Sequence, residues 1–286
     1  MNQRIINYTN LTRLSNPIGI ALLFLPCLFG IFLALKKTNL NFFTTIWIIF
    51  LFGLGSVIMR SAGCVINDIL DLNFDRQVFR TKNRPLAAQK INRLEALMLL
   101  TLLLLIGFLI LLQFNIATII SGFFALTLAA TYPLMKRITY YPQIFLGMAF
   151  NFGIIMASLA ILDRIDLSFV VLYLAAIIWT LIYDTIYAYQ DIEDDLRIGV
   201  KSSAIKFVKN PKIILLSLTF VMFCLIFFVG SLENLSQSYF LLNLGAFAFL
   251  AQKIMSCNFN NPQNCLKVFR DNFWVGVLIL TAIFFS

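Results

Sequence analysis

Eight of the 13 acidic residues of this chain fall in two short segments: Asp68, Asp71 and Asp75, then Asp184, Asp191, Glu193, Asp194 and Asp195. The first reads Asn67-Asp68-Ile69-Leu70-Asp71-Leu72-Asn73-Phe74-Asp75. If it is helical, Asn67, Asp71 and Asp75 lie one above the other on a single face. In the second segment the spacing of Asp184, Asp191 and Asp195 again gives one face, with Tyr187 beside it. Carboxylates stacked in this way repel one another unless a cation sits among them. Mg²⁺ takes oxygen ligands, keeps several waters, and is held by one or two carboxylates together with substrate phosphates. The chemistry expected of the two segments is therefore Mg²⁺ bridging a diphosphate. Asp68, Glu193 and Asp194 fit a helix cap or a solvated loop equally well.

Cations stand close to both segments. Arg84 follows Asp75 in Lys82-Asn83-Arg84-Pro85-Leu86, Lys136 and Arg137 follow Tyr132-Pro133-Leu134-Met135, and Lys201 sits in Gly199-Val200-Lys201-Ser202-Ser203. Basic groups beside clustered carboxylates suit a phosphate clamp. For Arg84 and Lys136, anchoring at a membrane surface is an equal alternative. Arg60 stands apart, two helical turns before Asn67 in an apolar run. An arginine at that depth needs a partner. An aspartate of the same chain or a substrate carboxylate would serve, the latter through a bidentate fork.

The elements that position these residues are apolar. Of 286 residues, 60% are hydrophobic and 12% charged, against about a quarter charged in soluble domains. The fold class expected is an all-α polytopic membrane protein. A bilayer-spanning helix needs roughly 20 apolar residues, which gives about nine spans around a central cavity: 17–35, 44–66, 95–112, 115–134, 143–162, 168–188, 211–230, 237–254 and 272–285. The last two are short or interrupted by polar residues. Continuous apolar runs argue against a β-barrel. Residues 17–35 lack a small-residue cleavage site and read as the first span. No linker or low-complexity stretch divides the chain, so residues 1–286 are expected to form one domain. A weak internal repeat sets Asp71-xxx-Asp75 against Asp191-xxx-Asp195, an offset of four spans, and each is followed by a basic loop. Sites in repeat-built membrane proteins lie where the repeats meet.

The net charge of +9 does not indicate nucleic acid. With nine spans and the N-terminus in the cytoplasm, 18 of the 22 Lys and Arg residues fall on the cytoplasmic side. Lys36, Lys37 and Arg164 fall on the other, and Arg60 lies within the second span. The positive-inside rule predicts this asymmetry, and it places both aspartate segments in the cytoplasm. There is no histidine, and Cys27, Cys64, Cys224, Cys257 and Cys265 form no CxxC pair. Histidine catalysis is excluded, no convincing zinc site remains, and the cysteines read as small apolar fillers. Among the 30 Phe residues, some could line a tunnel for an isoprenoid and stabilise an allylic cation. No feature points to a protein partner.

These motifs resemble the UbiA superfamily of intramembrane prenyltransferases. The likeness runs from about Asn16-Pro17 to Ser203. It rests on NDxxDxxxD at Asn67–Asp75, on YxxxK at Tyr132–Lys136, and on the second motif from Tyr183-Asp184 through Asp191, Asp194 and Asp195 to Lys201-Ser202. Residues 60–86 and 183–204 are similar to the 4-hydroxybenzoate polyprenyltransferase branch. The resemblance implies Mg²⁺-dependent cleavage of a polyprenyl diphosphate in a cavity open laterally to lipid. The prenyl group would pass to the ring carbon ortho to the hydroxyl of 4-hydroxybenzoate, an early step of ubiquinone biosynthesis. It also implies that Asn67, Asp71, Asp75, Asp191 and Asp195 are metal ligands, the four aspartates being catalytic. Arg84, Tyr132, Lys136, Asp184, Tyr187 and Lys201 are implied to contact the diphosphate or its surroundings, and Arg60, or else Arg137, the acceptor carboxylate. The location implied is a bacterial inner membrane. Two alternatives stay open. One is a sister enzyme for a naphthoate, a homogentisate or haem, the last disfavoured by the absence of histidine. The other is a cation-coupled transporter.

Overall fold

A computed structural model describes residues 3–286; the first two residues of the expected 1–286 unit lie outside the described residues. Among the described residues there are helices and no strands. In chain order they are α1 (Gln3–Leu11), α2 (Ile18–Leu35), α3 (Phe42–Leu70), α4 (Leu72–Asp75), α5 (Arg93–Leu111), α6 (Ile116–Ile138) and α7 (Pro142–Asn151). There follow α8 (Gly153–Leu162), α9 (Leu167–Ala188), α10 (Ile192–Ile198), α11 (Ser203–Phe207), α12 (Pro211–Leu232), α13 (Gln237–Ser256) and α14 (Pro262–Phe284). A helix satisfies its own backbone hydrogen bonds, which is what a chain this apolar requires in a bilayer.

Eight segments among the described residues are long and apolar enough to cross a membrane, with α7 and α8 counted as one. The ninth expected span, 272–285, is the apolar half of α14. That helix starts ten residues earlier than expected. Asn261 caps it by accepting from the amides of Gln263 and Asn264, at 3.0 and 3.1 Å, and Pro262 suits the first turn. Its charged turn is held by the Lys253–Asp271 ion pair at 2.7 Å. The second span also exceeds 44–66. Asn41 caps α3 from outside, accepting from the Thr44 amide at 2.8 Å, and the helix runs on through Asn67 and Asp68 to the bundle end. Similar caps open α5, where Asn92 and Glu95 form a capping box, and α6, at Asn115.

Helix α9 is the axis of the packing. Trp179 is buried at its centre, donating to Asn272 Oδ1 of α14 at 3.0 Å and lying against Phe29 of α2. Helix α2 approaches α8 closely enough that a Cβ on Gly30 would meet the Ile154 carbonyl at 2.8 Å. Small residues permit such contact where lipid offers no hydrophobic drive to association. Many large apolar side chains on α3, α5 and α6 face outward, Phe43, Leu105 and Ile120 among them. At the bundle end away from the aspartate segments, Lys37 pairs with Asp166 and Glu233, each at 2.7 Å, and so ties α2 to the ends of α9 and α12.

Candidate active site

Both aspartate segments lie where a long helix stops. Helix α3 ends at Leu70, and Asp71 takes φ −96°, ψ 6°, before the short α4 begins. Helix α9 ends at Ala188 and a 3₁₀ turn carries the chain to Asp191, at φ −115°, ψ 9°, before the short α10 begins. These two backbones share the sparsely populated bridge region, in which active-site residues are often found. The expected continuous helices are thus broken at the repeated aspartates. The spacing survives in the first segment because the Asp75 amide still donates to the Asp71 carbonyl, at 2.8 Å. The left-handed Gly199, φ +73°, ends α10.

The two segments face one polar cavity. Asn67, Asp71, Asp75, Arg84, Tyr132, Lys136, Asp184, Tyr187, Asp191, Asp195 and Lys201 all line it. Cations hold the first segment. Arg84 Nη1 donates to both Asp75 oxygens at 2.9 and 2.8 Å and to Asp68 at 3.2 Å. Lys136 pairs with Asp71 Oδ2. Burial pushes the Asp71 carboxyl above the usual range while Lys136 draws it back. Asp71 Oδ1 is buried and accepts no hydrogen bond. Asp68, 1% exposed, is a structural anchor: Arg13 Nη2 donates to its two oxygens at 2.8 and 3.0 Å.

The second segment is more open. Asp191 accepts from Arg80 Nε at 2.8 Å, and Arg80 Nη1 donates to the Tyr187 hydroxyl, also at 2.8 Å. The side chains of Asp184 and Asp195 have neither a hydrogen bond nor an ion pair. The loops that carry the segments are sewn together at the rim. The Phe79 amide donates to Asp194 Oδ2 at 3.0 Å, and Arg197 Nη2 donates to the Gln77 carbonyl at 3.0 Å. Lys201 is tied to the end of α6, its amide donating to the Lys136 carbonyl and its Nζ to the Ile138 carbonyl, both at 3.0 Å.

Tyr132 donates to Asn67 Oδ1 at 3.3 Å and also lines a second, apolar cavity between α2, α3, α5, α6, α7 and α8. Phe52, Phe108, Phe114, Phe123, Phe150 and Phe152 line that cavity, and Arg60 stands in its wall. No carboxylate among the described residues lies within ion-pairing distance of Arg60; its Nη1 donates to Cys64 Sγ at 2.9 Å. Arg137 is on neither lining. Its Nη2 donates to the Leu70 carbonyl at 3.0 Å and lies 4.0 Å from Asp71.

A family model described as the UbiA prenyltransferase family matches residues 23–277. The chain belongs to that family. Among UbiA relatives, the 4-hydroxybenzoate octaprenyltransferase of Tolumonas auensis is 41% identical over 277 residues, 96% of this chain and 95% of its own length. The enzyme of the same name from Pseudomonas syringae is 39% identical over 99% of this chain and 94% of its own length. The mitochondrial 4-hydroxybenzoate polyprenyltransferase of Drosophila pseudoobscura is 41% identical over 96% of this chain and 69% of its own length. A solved UbiA homologue from Aeropyrum pernix superposes with a TM-score of 0.74 at 24% identity, covering 92% of this chain and 96% of its own. One from Archaeoglobus fulgidus, bound to GPP and Mg²⁺, gives 0.66 at 17% identity, covering 97% and 98%. These two establish the fold.

The sequence alone assigns no site role to Arg80, and gives Ser202 only a place at the end of the second motif. Arg80 counted only as a charge in a basic loop, and no local spacing reveals that it reaches Asp191, 111 positions away. Ser202 lines the polar cavity with a buried Oγ that has no partner. Its place directly after Lys201 was the available signal.

Proposed function

We propose that the chain transfers a polyprenyl group from a polyprenyl diphosphate to the ring carbon ortho to the hydroxyl of 4-hydroxybenzoate, an early step of ubiquinone biosynthesis, acting as one domain over 1–286. The observation that carries this reading is the meeting of two unlike cavities at Tyr132, one lined by carboxylates and cations and the other by aromatic rings. A molecule with a diphosphate head and an isoprenoid tail fits both at once. The names of the full-length relatives supply the acceptor.

The donor set fits Mg²⁺. Asp71 Oδ1 is a buried oxygen that accepts no hydrogen bond, with Arg137 Nη2 4.0 Å away, and the Asp184 and Asp195 side chains have neither a hydrogen bond nor an ion pair. No three acidic or thiol groups among the described residues stand close enough to hold an ion by themselves, so Mg²⁺ would need phosphate oxygens and water as further ligands. Asn67, Asp71, Asp75, Asp191 and Asp195 would hold it. When bound, Mg²⁺ offsets the charge that develops on the leaving diphosphate. Arg84, Lys136, Arg80 and Lys201 add fixed positive charge around the same oxygens. The apolar, aromatic lining of the second cavity keeps water from the allylic cation as the C–O bond breaks. Arg60 holds the acceptor carboxylate, so that the ring carbon ortho to the hydroxyl faces C1 of the prenyl chain. A carboxylate of the polar cavity or the departing diphosphate takes the ring proton.

Purified protein incubated with 4-hydroxybenzoate and prenyl diphosphates of several lengths should yield the 3-prenylated product by mass spectrometry, with diphosphate released only when Mg²⁺ is present. Equal or faster transfer to a naphthoate or homogentisate would move the assignment to a sister enzyme. The membrane proposed is the bacterial inner membrane, with the N-terminus and both aspartate loops in the cytoplasm, the side that the positive-inside rule favours for the basic loops. Single cysteines at Gln77 and Ile198, in a background free of the native five, should resist impermeant thiol reagents in intact cells. Labelling from outside would reverse the orientation.

A further inference from the structure

Arg60 lies eleven residues before the helix-ending Asp71, roughly 16 Å along α3 at 1.5 Å per residue. A guanidinium carries five N–H donors. Here Nη1 donates to Cys64 Sγ at 2.9 Å, and the buried Nε has no partner. The charge is also stacked over an aromatic face, with Cζ 5.3 Å from the Phe150 ring centroid. On a third side is Gly19 of α2. A Cβ there would come within 2.5 Å of Arg60 Nε, 2.9 Å of Nη2 and 3.1 Å of Cζ. Gly19 lies inside a regular helix and needs no unusual backbone angle. What calls for glycine is the space taken by a charged head from the neighbouring helix.

We propose that Gly19, Cys64 and Phe150 form a seat that fixes the Arg60 guanidinium and thereby sets the preference of the enzyme for a carboxylated acceptor. Three helices contribute: α2 the gap, α3 the sulfur acceptor and α7 the ring. The seat uses one N–H and leaves a donor-rich head beside the apolar cavity, matched to the two oxygens of a carboxylate. Holding it in place in advance spares the acceptor the cost of ordering a long side chain. Gly19, Cys64 and Phe150 are positioning residues. The inference rests on the reading of Arg60 as the acceptor contact.

The test compares 4-hydroxybenzoate with 4-hydroxybenzamide, which keeps the shape and loses the charge, using one polyprenyl diphosphate throughout. Gly19→Ala should lower the acid-to-amide ratio of kcat/KM by roughly tenfold or more, the scale of one charge-assisted hydrogen bond. The KM for the prenyl diphosphate should stay unchanged. Cys64→Ala should lower the ratio in the same direction and by less. Gly245→Ala, where an added Cβ meets nothing within 4 Å, should leave it unaltered. A seat that merely packs helices would slow both acceptors alike, and an unchanged ratio in Gly19→Ala and Cys64→Ala overturns the proposal. If Gly19→Ala does not fold, Cys64→Ala and Phe150→Leu decide by the same ratio. Arg60→Gln separates the two levels. If it preserves the ratio, the Arg60 reading itself fails. If it abolishes the ratio while the seat variants do not, only the seat is wrong.

Discussion

The two aspartate segments have nearly the same backbone and very different electrostatics. Asp71 and Asp191 each interrupt the chain at the end of a long helix with ψ close to zero, and each is followed by a short helix carrying a second aspartate four residues on. Yet Asp68, Asp75 and one oxygen of Asp71 are engaged by Arg13, Arg84 and Lys136. In the other segment only Asp191 is engaged within the cavity, by Arg80, while Asp184 and Asp195 are left open. A repeat in sequence and backbone therefore does not make a repeat in charge pairing. The first segment is a braced wall whose cations are already in place. The second offers free oxygens.

The largest effect should come from the positions the two segments share. Asp71→Asn and Asp191→Asn keep size and remove charge, and each should lower turnover by at least about 100-fold, the scale of a key electrostatic contact. Steady-state rates on protein still inserted in the membrane measure this. If one variant is crippled and the other near normal at limiting Mg²⁺, the backbone symmetry has no counterpart in the chemistry. The next effect sharpens the contrast. Asp195 has no cation within hydrogen-bonding or ion-pairing distance, although Lys136 and Arg80 act on it from further away, so Asp195→Asn should raise the Mg²⁺ concentration for half-maximal rate by about tenfold, as expected for one lost charged contact. An Mg²⁺ requirement identical to that of wild type would remove Asp195 from the metal site. The smallest catalytic effect is expected at Asp68. Asp68→Asn removes the buried carboxylate that pairs with Arg13, while Arg84 keeps Asp75, and should cost about 1.5–3 kcal/mol of stability. Thermal unfolding should report that loss, while kcat of the folded protein stays close to wild type. A large fall in kcat without loss of stability would make Asp68 part of the reaction.

Much of the site was legible because its chemistry is local in the chain. Asn67, Asp71 and Asp75 announce a shared face by spacing alone, and all three line the cavity. What spacing could not supply was the break at each aspartate, since the helical reading of residues 67–75 fits the i, i+4 pattern equally well. Arg137 illustrates the other limit. It neighbours Lys136 in sequence, but successive residues on a helix point about 100° apart, and only Lys136 lines the cavity.

By itself, the amino-acid sequence determined the helical membrane class, the positions of eight spans to within a few residues and of the ninth to within ten, and the two segments where carboxylates gather. Apolar runs and short-range periodicity carry that information, because a bilayer leaves the backbone few options. The tertiary structure decided which cation meets which carboxylate: Arg80 with Asp191, Arg84 with Asp75 and Asp68, Lys136 with Asp71. It also decided that Arg60 is held by Gly19, Cys64 and Phe150, with no aspartate in ion-pairing reach. Gly19 and Phe150 lie far from Arg60 in the chain, as Asp191 does from Arg80. No periodicity encodes such pairs. They arise only when helices α2, α3, α7 and α9 pack side by side.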